Sequence, residues 1–228
     1  MLEPCNTWAE PHDVDAQLAK LKLKRSTVRT AAQRSFFAWA ACTANDPRTF
    51  PGIAGWAGGI RGMAEELAAQ RWAMVTEMGQ PLIVNADGTV ALTVATGDHN
   101  TGKNGKTQPR TKSNKGRKTQ EPVLSNAFLF AEMEHDARAK IINSGKRVLW
   151  VLLMHRDIVE GKVYSELSRP LHMEAKPGKP GKRRIVAWSE RIILEPIDFE
   201  PIPSETTQEE SGPNAGEITV EIKRRGRQ

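Results

Sequence analysis

The chain has 228 residues, 39% of them hydrophobic, and its 33 Lys and Arg against 27 Asp and Glu give a net charge of +6. This length can build one core of moderate size or two small ones. The excess of positive charge favours acidic partners, of which nucleic acid is the commonest. No segment approaches the 18 uninterrupted apolar residues of a membrane-spanning helix, so we expect no membrane partner.

The first 13 residues have acids and prolines where a secretion signal needs a basic start followed by an apolar run. Two cysteines are present, Cys5 near the amino terminus and Cys42 within an apolar helical pattern. They do not make a disulfide framework, which favours a reducing compartment. These features predict a cytoplasmic protein.

Two amphipathic helices are predicted near the amino terminus. Apolar side chains recur at helical spacing after Asp13 and again after Ser26, and both patterns end before Pro47. Between residues 16 and 45 there is no acid, so the helical pair has a basic face. Three of its cations, placed to enter a nucleic-acid groove, are Arg25, Arg29 and Arg34.

A third helix is predicted within residues 53–78 from the spacing of Ile60, Met63, Leu67 and Met74. Four glycines weaken its first turns, so the pattern is secure from Met63 onward. Residues 81–85 and 89–96 are rich in β-forming side chains and flank an Asp-Gly turn. They predict a hairpin.

Residues 97–120 carry seven Lys and Arg against the single acid Asp98, so their charge of +6 equals that of the whole chain. This stretch contains no aliphatic, aromatic or sulfur-containing side chain, so we expect it to lie in solvent or on a polyanion, outside any core. It is also expected to contribute little to stability. A solvated linker is the simplest alternative interpretation.

The rest of the chain is predicted to be β-rich. A helix is expected near residues 124–143, followed by three antiparallel strands at 148–154, 162–173 and 184–194. Residues 192–222 contain eight acids and no Lys or Arg, and the chain then ends KRRGRQ. This pattern predicts a flexible tail that is first acidic and then basic, with at most a short strand at 218–222.

The predicted fold class is therefore α+β, with N-terminal helices packed on an antiparallel sheet, a long disordered basic loop and a disordered C-terminal tail. Three regions are expected. Residues 1–78 form the helical region with its basic face, residues 79–195 form the β-rich region that contains the loop, and residues 196–228 form the tail.

Two short motifs have familiar counterparts. Residues 97–104, GDHNTGKN, differ by one residue from a phosphate-binding P-loop, but Asn104 replaces the hydroxyl residue that would hold magnesium and no helix can follow. We therefore expect no nucleotide hydrolysis. The run Gly59-Ile60-Arg61-Gly62 resembles the Gly-x-x-Gly loop of K-homology domains, which implies a clamp on a single-stranded backbone. Close helix packing through small residues explains the same glycines.

Neither the five histidines nor the two cysteines show paired ligand spacing, so no structural zinc, other metal or cofactor is predicted. No catalytic residue stands out, and the sequence leans away from an enzyme. A cleft that joined His135, His155 and carboxylates would favour one.

The leading hypothesis is a non-enzymatic accessory protein that binds DNA or RNA, mainly through contacts to the phosphate backbone. The alternative is a regulatory or inhibitory protein whose basic loops dock on an acidic protein surface. Besides the three helix arginines, the candidate phosphate contacts lie in two basic segments: Lys103, Lys106, Arg110, Lys112, Lys115, Arg117 and Lys118 in the first, and Lys176, Lys179, Lys182, Arg183 and Arg184 in the second.

Overall fold

The structure is a computed structural model, and it describes residues 5–77, 79–113, 123, 147–175 and 183–199. These residues form three helices and seven strands. In chain order the elements are β1 (Asn6–Trp8), α1 (Pro11–Lys20), α2 (Arg25–Ala40), α3 (Phe50–Ala68), β2 (Ala73–Glu77), β3 (Gln80–Val84), β4 (Val90–Thr96), β5 (Val148–Asp157), β6 (Lys162–Ala175) and β7 (Arg183–Asp198).

The strands form one mixed sheet in the order β1-β7-β6-β5-β4-β3-β2. Four of the six pairings are antiparallel, and the pairs β1–β7 and β4–β5 are parallel. The three antiparallel strands predicted after residue 147 are confirmed as β5, β6 and β7. The parallel pairs appear because β4 and β5 are joined by a long crossover and because β1 adds to the edge of β7.

All three helices pack on one face of the sheet. Their connection leads from β1 at one edge to β2 at the other, so the helices cover the sheet between the two edges. The core between the layers includes Leu18 of α1, Val28 of α2, Met63 of α3, Leu152 of β5 and Ile192 of β7, all buried. The predicted α+β class, with the helices first, is confirmed.

Helix α3 begins at Phe50, well before Met63, from which the sequence pattern predicts the helix most clearly. Pro51 lies in its first turn, where a backbone N–H has no partner within the helix, so the lack of one in proline loses no hydrogen bond. Its glycines allow close packing on α2. A Cβ on Gly58 would lie 2.7 Å from both the Ala38 Cβ and the Arg34 carbonyl oxygen. The helix ends at Ala68, so the assignment of Met74 to it is wrong, since Met74 lies on β2 and is 61% exposed.

The four residues that resemble the K-homology loop lie inside α3. Gly59 faces Ser35 on α2 and Val94 on the sheet, and Gly62 faces Arg34. These glycines therefore serve helix packing, and the interpretation as a loop that clamps a nucleic-acid backbone is wrong.

The predicted hairpin is confirmed as β3 and β4. The Asn85 side chain closes its turn, because its Oδ1 accepts hydrogen bonds from the backbone N–H groups of Thr89 and Val90 at 2.9 and 3.0 Å. Gly88 has φ of 69°, which is strained for a residue with a side chain.

The other face of the sheet is covered in part by residues 97–113, the first part of the basic stretch. The two ends of this segment are fixed by backbone hydrogen bonds: Gly97 N donates to Met154 O at 2.9 Å, and Lys112 N donates to Thr96 O at 2.8 Å. Thr101 and Thr111 are fully buried. The expectation that this stretch lies outside any core is thus wrong for residues 97–113, because hydrogen bonds to the sheet, rather than apolar side chains, hold it there.

The Trp188 side chain shows how the same loop contacts β7. Its indole Nε1 donates to Pro109 O at 2.7 Å, and its backbone N donates to Gln108 Oε1 at 2.7 Å. Trp188 also belongs to the apolar cluster on this face, together with Leu149, Leu153 and Val123. The helix expected near 124–143, the strand at 218–222 and the tail from residue 200 lie outside the described residues.

Candidate functional site

A buried ion pair joins the basic loop to the sheet. On β6 and β7, Glu166 and Arg191 are 0% and 1% exposed, and the Arg191 Nε and Nη2 atoms donate to the two carboxylate oxygens of Glu166 at 3.0 and 2.5 Å. The loop completes this pair, because Gly102 N donates to Glu166 Oε2 at 2.8 Å and Lys103 O accepts from Arg191 Nη2 at 3.1 Å. The pair therefore fixes the backbone that carries Lys103.

A second attachment brings the two predicted basic segments together. Thr111 N donates to Ile185 O at 3.0 Å, and Ile185 N donates to Thr111 Oγ1 at 3.1 Å. Arg110 and Lys112 flank Thr111, and Arg184 precedes Ile185. Cations that are more than 70 positions apart in the sequence thus share one region of the surface.

Beside this attachment lies an open cleft of about 690 Å³, the cationic cleft. It is formed by the start of α3, the carboxyl ends of the parallel strands β4 and β5, and the end of the described loop. Its main lining side chains are Arg48, Ile53, Trp56, Thr96, Lys112 and Arg156, and none of the described residues that line it is acidic. The cleft presents three cations next to an apolar wall.

Arg156 is the most enclosed of these cations. Its guanidinium carbon lies 4.9 Å from the centre of the Trp39 ring. Its Nη1 atom packs so closely on α3 that a Cβ added at Gly55 would lie only 3.1 Å from it. Burial lowers the pKa of Arg156 below its ordinary value. Within the described part of the chain no ion pair joins Arg156 to a carboxylate, and Arg156 lines the cleft.

His155 responds to the same positive field. Its pKa is lowered, first by burial and then by the charges of Lys103 and Lys112, while Asp157 and Asp98 oppose the shift. The enzyme alternative required a cleft shared by His135, His155 and carboxylates, but His135 lies outside the described residues and the lining of the cationic cleft is free of described acids.

The other described cations of the loop, Lys103, Lys106 and Arg110, do not line the cleft. The Lys103 Nζ lies 4.8 Å from the centre of the Tyr164 ring, a cation–π contact. Lys106 and Arg110 are exposed. Tyr164 donates its hydroxyl to Glu160, and this hydrogen bond raises the pKa of Tyr164 to about 12.

The helix arginines are less available than the sequence suggested. Arg25 forms ion pairs with Asp15 and Glu195 at 2.9 and 3.1 Å, and Arg34 pairs with Glu65. Arg29 is half-buried. Two of the three proposed groove contacts are thus already neutralised within the chain.

The remaining predicted contacts are divided between described and undescribed residues. Arg183 and Arg184 begin β7, opposite Ala175 and Glu174 on β6. Six of the predicted cations lie outside the described residues: Lys115, Arg117, Lys118, Lys176, Lys179 and Lys182.

Sequence reasoning missed three residues of the cleft: Arg48, Trp56 and Arg156. Only Arg156 could have been suggested by its local sequence, because it follows the apolar run of β5 and so lies at the end of a buried strand, where ligand sites often occur. Arg48 and Trp56 belong to different segments, and no spacing rule links them to Lys112. Their proximity arises from the packing of α3 beside the ends of β4 and β5.

Among the described residues no three His, Cys, Asp or Glu side chains are arranged to hold a metal ion. None of the described helices combines the length and apolar character required to cross a bilayer. Cys5 and Cys42 are free thiols, and burial raises the pKa of Cys5.

No family model matches the chain, and no curated protein or solved structure shows significant similarity to it.

Proposed function

We propose that this protein is a non-enzymatic nucleic-acid-binding protein of the cytoplasm, and that it binds chiefly through phosphate contacts in and around the cationic cleft. One observation carries the proposal: Arg48, Lys112 and Arg156 line a single cleft that has no described acid in its lining. The two free cysteines fit a protein that works in a reducing compartment.

The chemistry of the cleft suits a phosphodiester backbone. Cations that contact phosphates release the condensed counterions of the nucleic acid, and this release supplies most of the sequence-independent affinity. Thr49 and Gly52, at the start of α3, also line the cleft, and the amino end of a helix favours anions. Arg110, which precedes Thr111 in the loop, is exposed and adds a further cation.

The attachment of the loop favours a preformed site. The backbone of Lys112 is held by its hydrogen bond to Thr96, and the Arg156 guanidinium lies against the Trp39 ring. A charged group that is already positioned loses less conformational entropy on binding than one on a free chain. The attachment of residues 97–113 to the sheet therefore supports a role in binding over that of a solvated linker.

The test is a set of fluorescence anisotropy titrations at several salt concentrations with labelled DNA and RNA of about 20 nucleotides, each as a single strand and as a duplex. The variant Arg48→Gln, Lys112→Gln removes two exposed cations of the cleft. We expect weaker binding and a slope of log affinity against log salt that is smaller by about 1.4 to 1.8, since each phosphate contact contributes about 0.7 for single strands and about 0.9 for duplex DNA.

The matched control is Lys20→Gln, Lys24→Gln, which removes the same charge from exposed positions at the ends of α1 and α2. Its salt slope should remain close to that of the wild type. Absence of binding to every nucleic acid at low salt would overturn the proposal and favour docking on an acidic protein surface. Equal slopes for the two double variants would overturn the assignment of the cleft as the binding site.

A further inference from the structure

The cationic cleft is lined by two large apolar side chains, Trp56 and Ile53, which phosphate contacts do not involve. Trp56 is 37% exposed and lies two turns into α3, and Ile53 on the same side of the helix is 54% exposed. Neighbouring apolar side chains that are exposed together, rimmed by polar or charged groups, are often part of a binding site. The described part of the chain leaves both side chains partly open to solvent.

The position of Arg156 restricts what can reach it. The guanidinium lies against Trp39 and is half-buried, whereas Arg48 and Lys112 are exposed, and all three side chains line the cleft. A phosphate that contacts all three cations must enter the cleft. The backbone of a single strand can bend into a concave site, whereas the phosphates of a duplex lie on a stiff cylinder.

Trp56 provides a partner for a base. The flat faces of bases are buried in the stack of a duplex, but they are accessible in single strands, where they stack on aromatic side chains. Every base has such a face, so this contact does not require a particular sequence. A cleft volume of about 690 Å³ also lies within the range of about 300–1,000 Å³ that is typical of sites for small ligands.

We infer that the cationic cleft selects single-stranded over duplex nucleic acid, with a base stacked on Trp56 and the adjoining phosphate held by Arg48, Lys112 and Arg156. This inference rests on the proposed function and names its substrate class. In this arrangement Trp56 contacts a base, and the three cations contact the phosphate.

The test compares a single strand of about 20 thymidines with a duplex of the same length at one salt concentration. We expect at least a roughly tenfold preference for the single strand. Trp56→Ala should weaken single-strand binding by about 5- to 150-fold, as the loss of one base stack implies. It should leave the salt slope and the affinity for duplex unchanged, and Trp56→Phe should retain most of the affinity.

Phe37→Ala is the control, because Phe37 is 64% exposed on α2 and does not line the cleft. It should bind single strands like the wild type. A second measurement does not depend on truncation at this site: saturation with the single strand should quench tryptophan fluorescence more in the wild type than in Trp56→Phe.

Selection of single strands and nucleic-acid binding as such are overturned by different results. Equal binding of single strand and duplex, together with unchanged affinity of Trp56→Ala, would overturn the inference while the salt dependence of the cation variants would still support the proposed function. Absence of binding to either form would overturn both.

Discussion

Glu166 and Arg191 form a fully buried ion pair between β6 and β7, and the loop that carries Lys103 completes their hydrogen bonds. Ser168 also donates to the Glu166 carboxylate, at 2.7 Å. A buried charge has lost its hydration, so it is tolerated only when its partners replace the lost water. The pair thus makes the position of the loop depend on the integrity of the sheet.

The first prediction concerns this pair. Arg191→Met leaves the Glu166 carboxylate buried without its cation, so the free energy of unfolding should fall by about 3–5 kcal/mol, as measured by chemical denaturation. Glu65→Gln is the control, since its pair with Arg34 is largely exposed and should contribute less than about 1 kcal/mol. Similar losses for the two variants would contradict the structural role of the buried pair.

The second prediction uses two buried threonines of the basic loop. In Thr111→Val the backbone N–H of Ile185 loses its acceptor, which should lower the free energy of unfolding by about 1–3 kcal/mol. In Thr101→Val the same change removes a buried hydroxyl that has no hydrogen-bond partner among the described residues, so stability should stay the same or rise. Thermal unfolding of both variants measures the contrast, and equal effects would show that the loop is not held as described.

The third prediction concerns Tyr164, the sole tyrosine of the chain, whose ionisation can be followed by absorbance without interference from other tyrosines. Its pKa should be about 12, and Glu160→Ala should shift it toward the ordinary value of 10. Because the folded state favours the neutral phenol, this contribution to stability is complete below pH 10 and is lost as pH rises toward 12. Glu66→Ala, which removes an exposed acid on α3, should leave the titration unchanged.

The fourth prediction tests the packing of α3 on α2. Gly58→Ala should destabilise the fold, since the new Cβ would lie 2.7 Å from Ala38 and Arg34, and this clash exceeds the gain in helix propensity of about 1 kcal/mol. Gly52→Ala adds the same methyl group in the first turn, where nothing lies within 4 Å, and should be neutral or stabilise by up to about 1 kcal/mol. The difference in melting temperature between the two variants measures the contact.

The elements that the sequence predicted best are those whose signal is local. The helical spacing of Val14 and Leu18 in α1, and the apolar run that forms β5, record which side of each element faces a core. The turn at Gly88 is likewise marked by its own residues. The predicted extent of the third helix is wrong at Met74. Met74 follows Leu67 by seven residues, a spacing that fits two helical turns, but the chain has by then left the helix and entered β2.

What the sequence by itself determined was therefore the α+β class, most of the elements and the concentration of positive charge in residues 97–120. Only the tertiary structure decided that residues 97–113 pack on the sheet, that Lys112 lines one cleft with Arg48 and Arg156, and that Arg25 and Arg34 are paired with acids. The physical reason is that these contacts are hydrogen bonds and charge contacts between distant segments. Such contacts depend on where the backbone places each group, and they leave no period or spacing in the sequence.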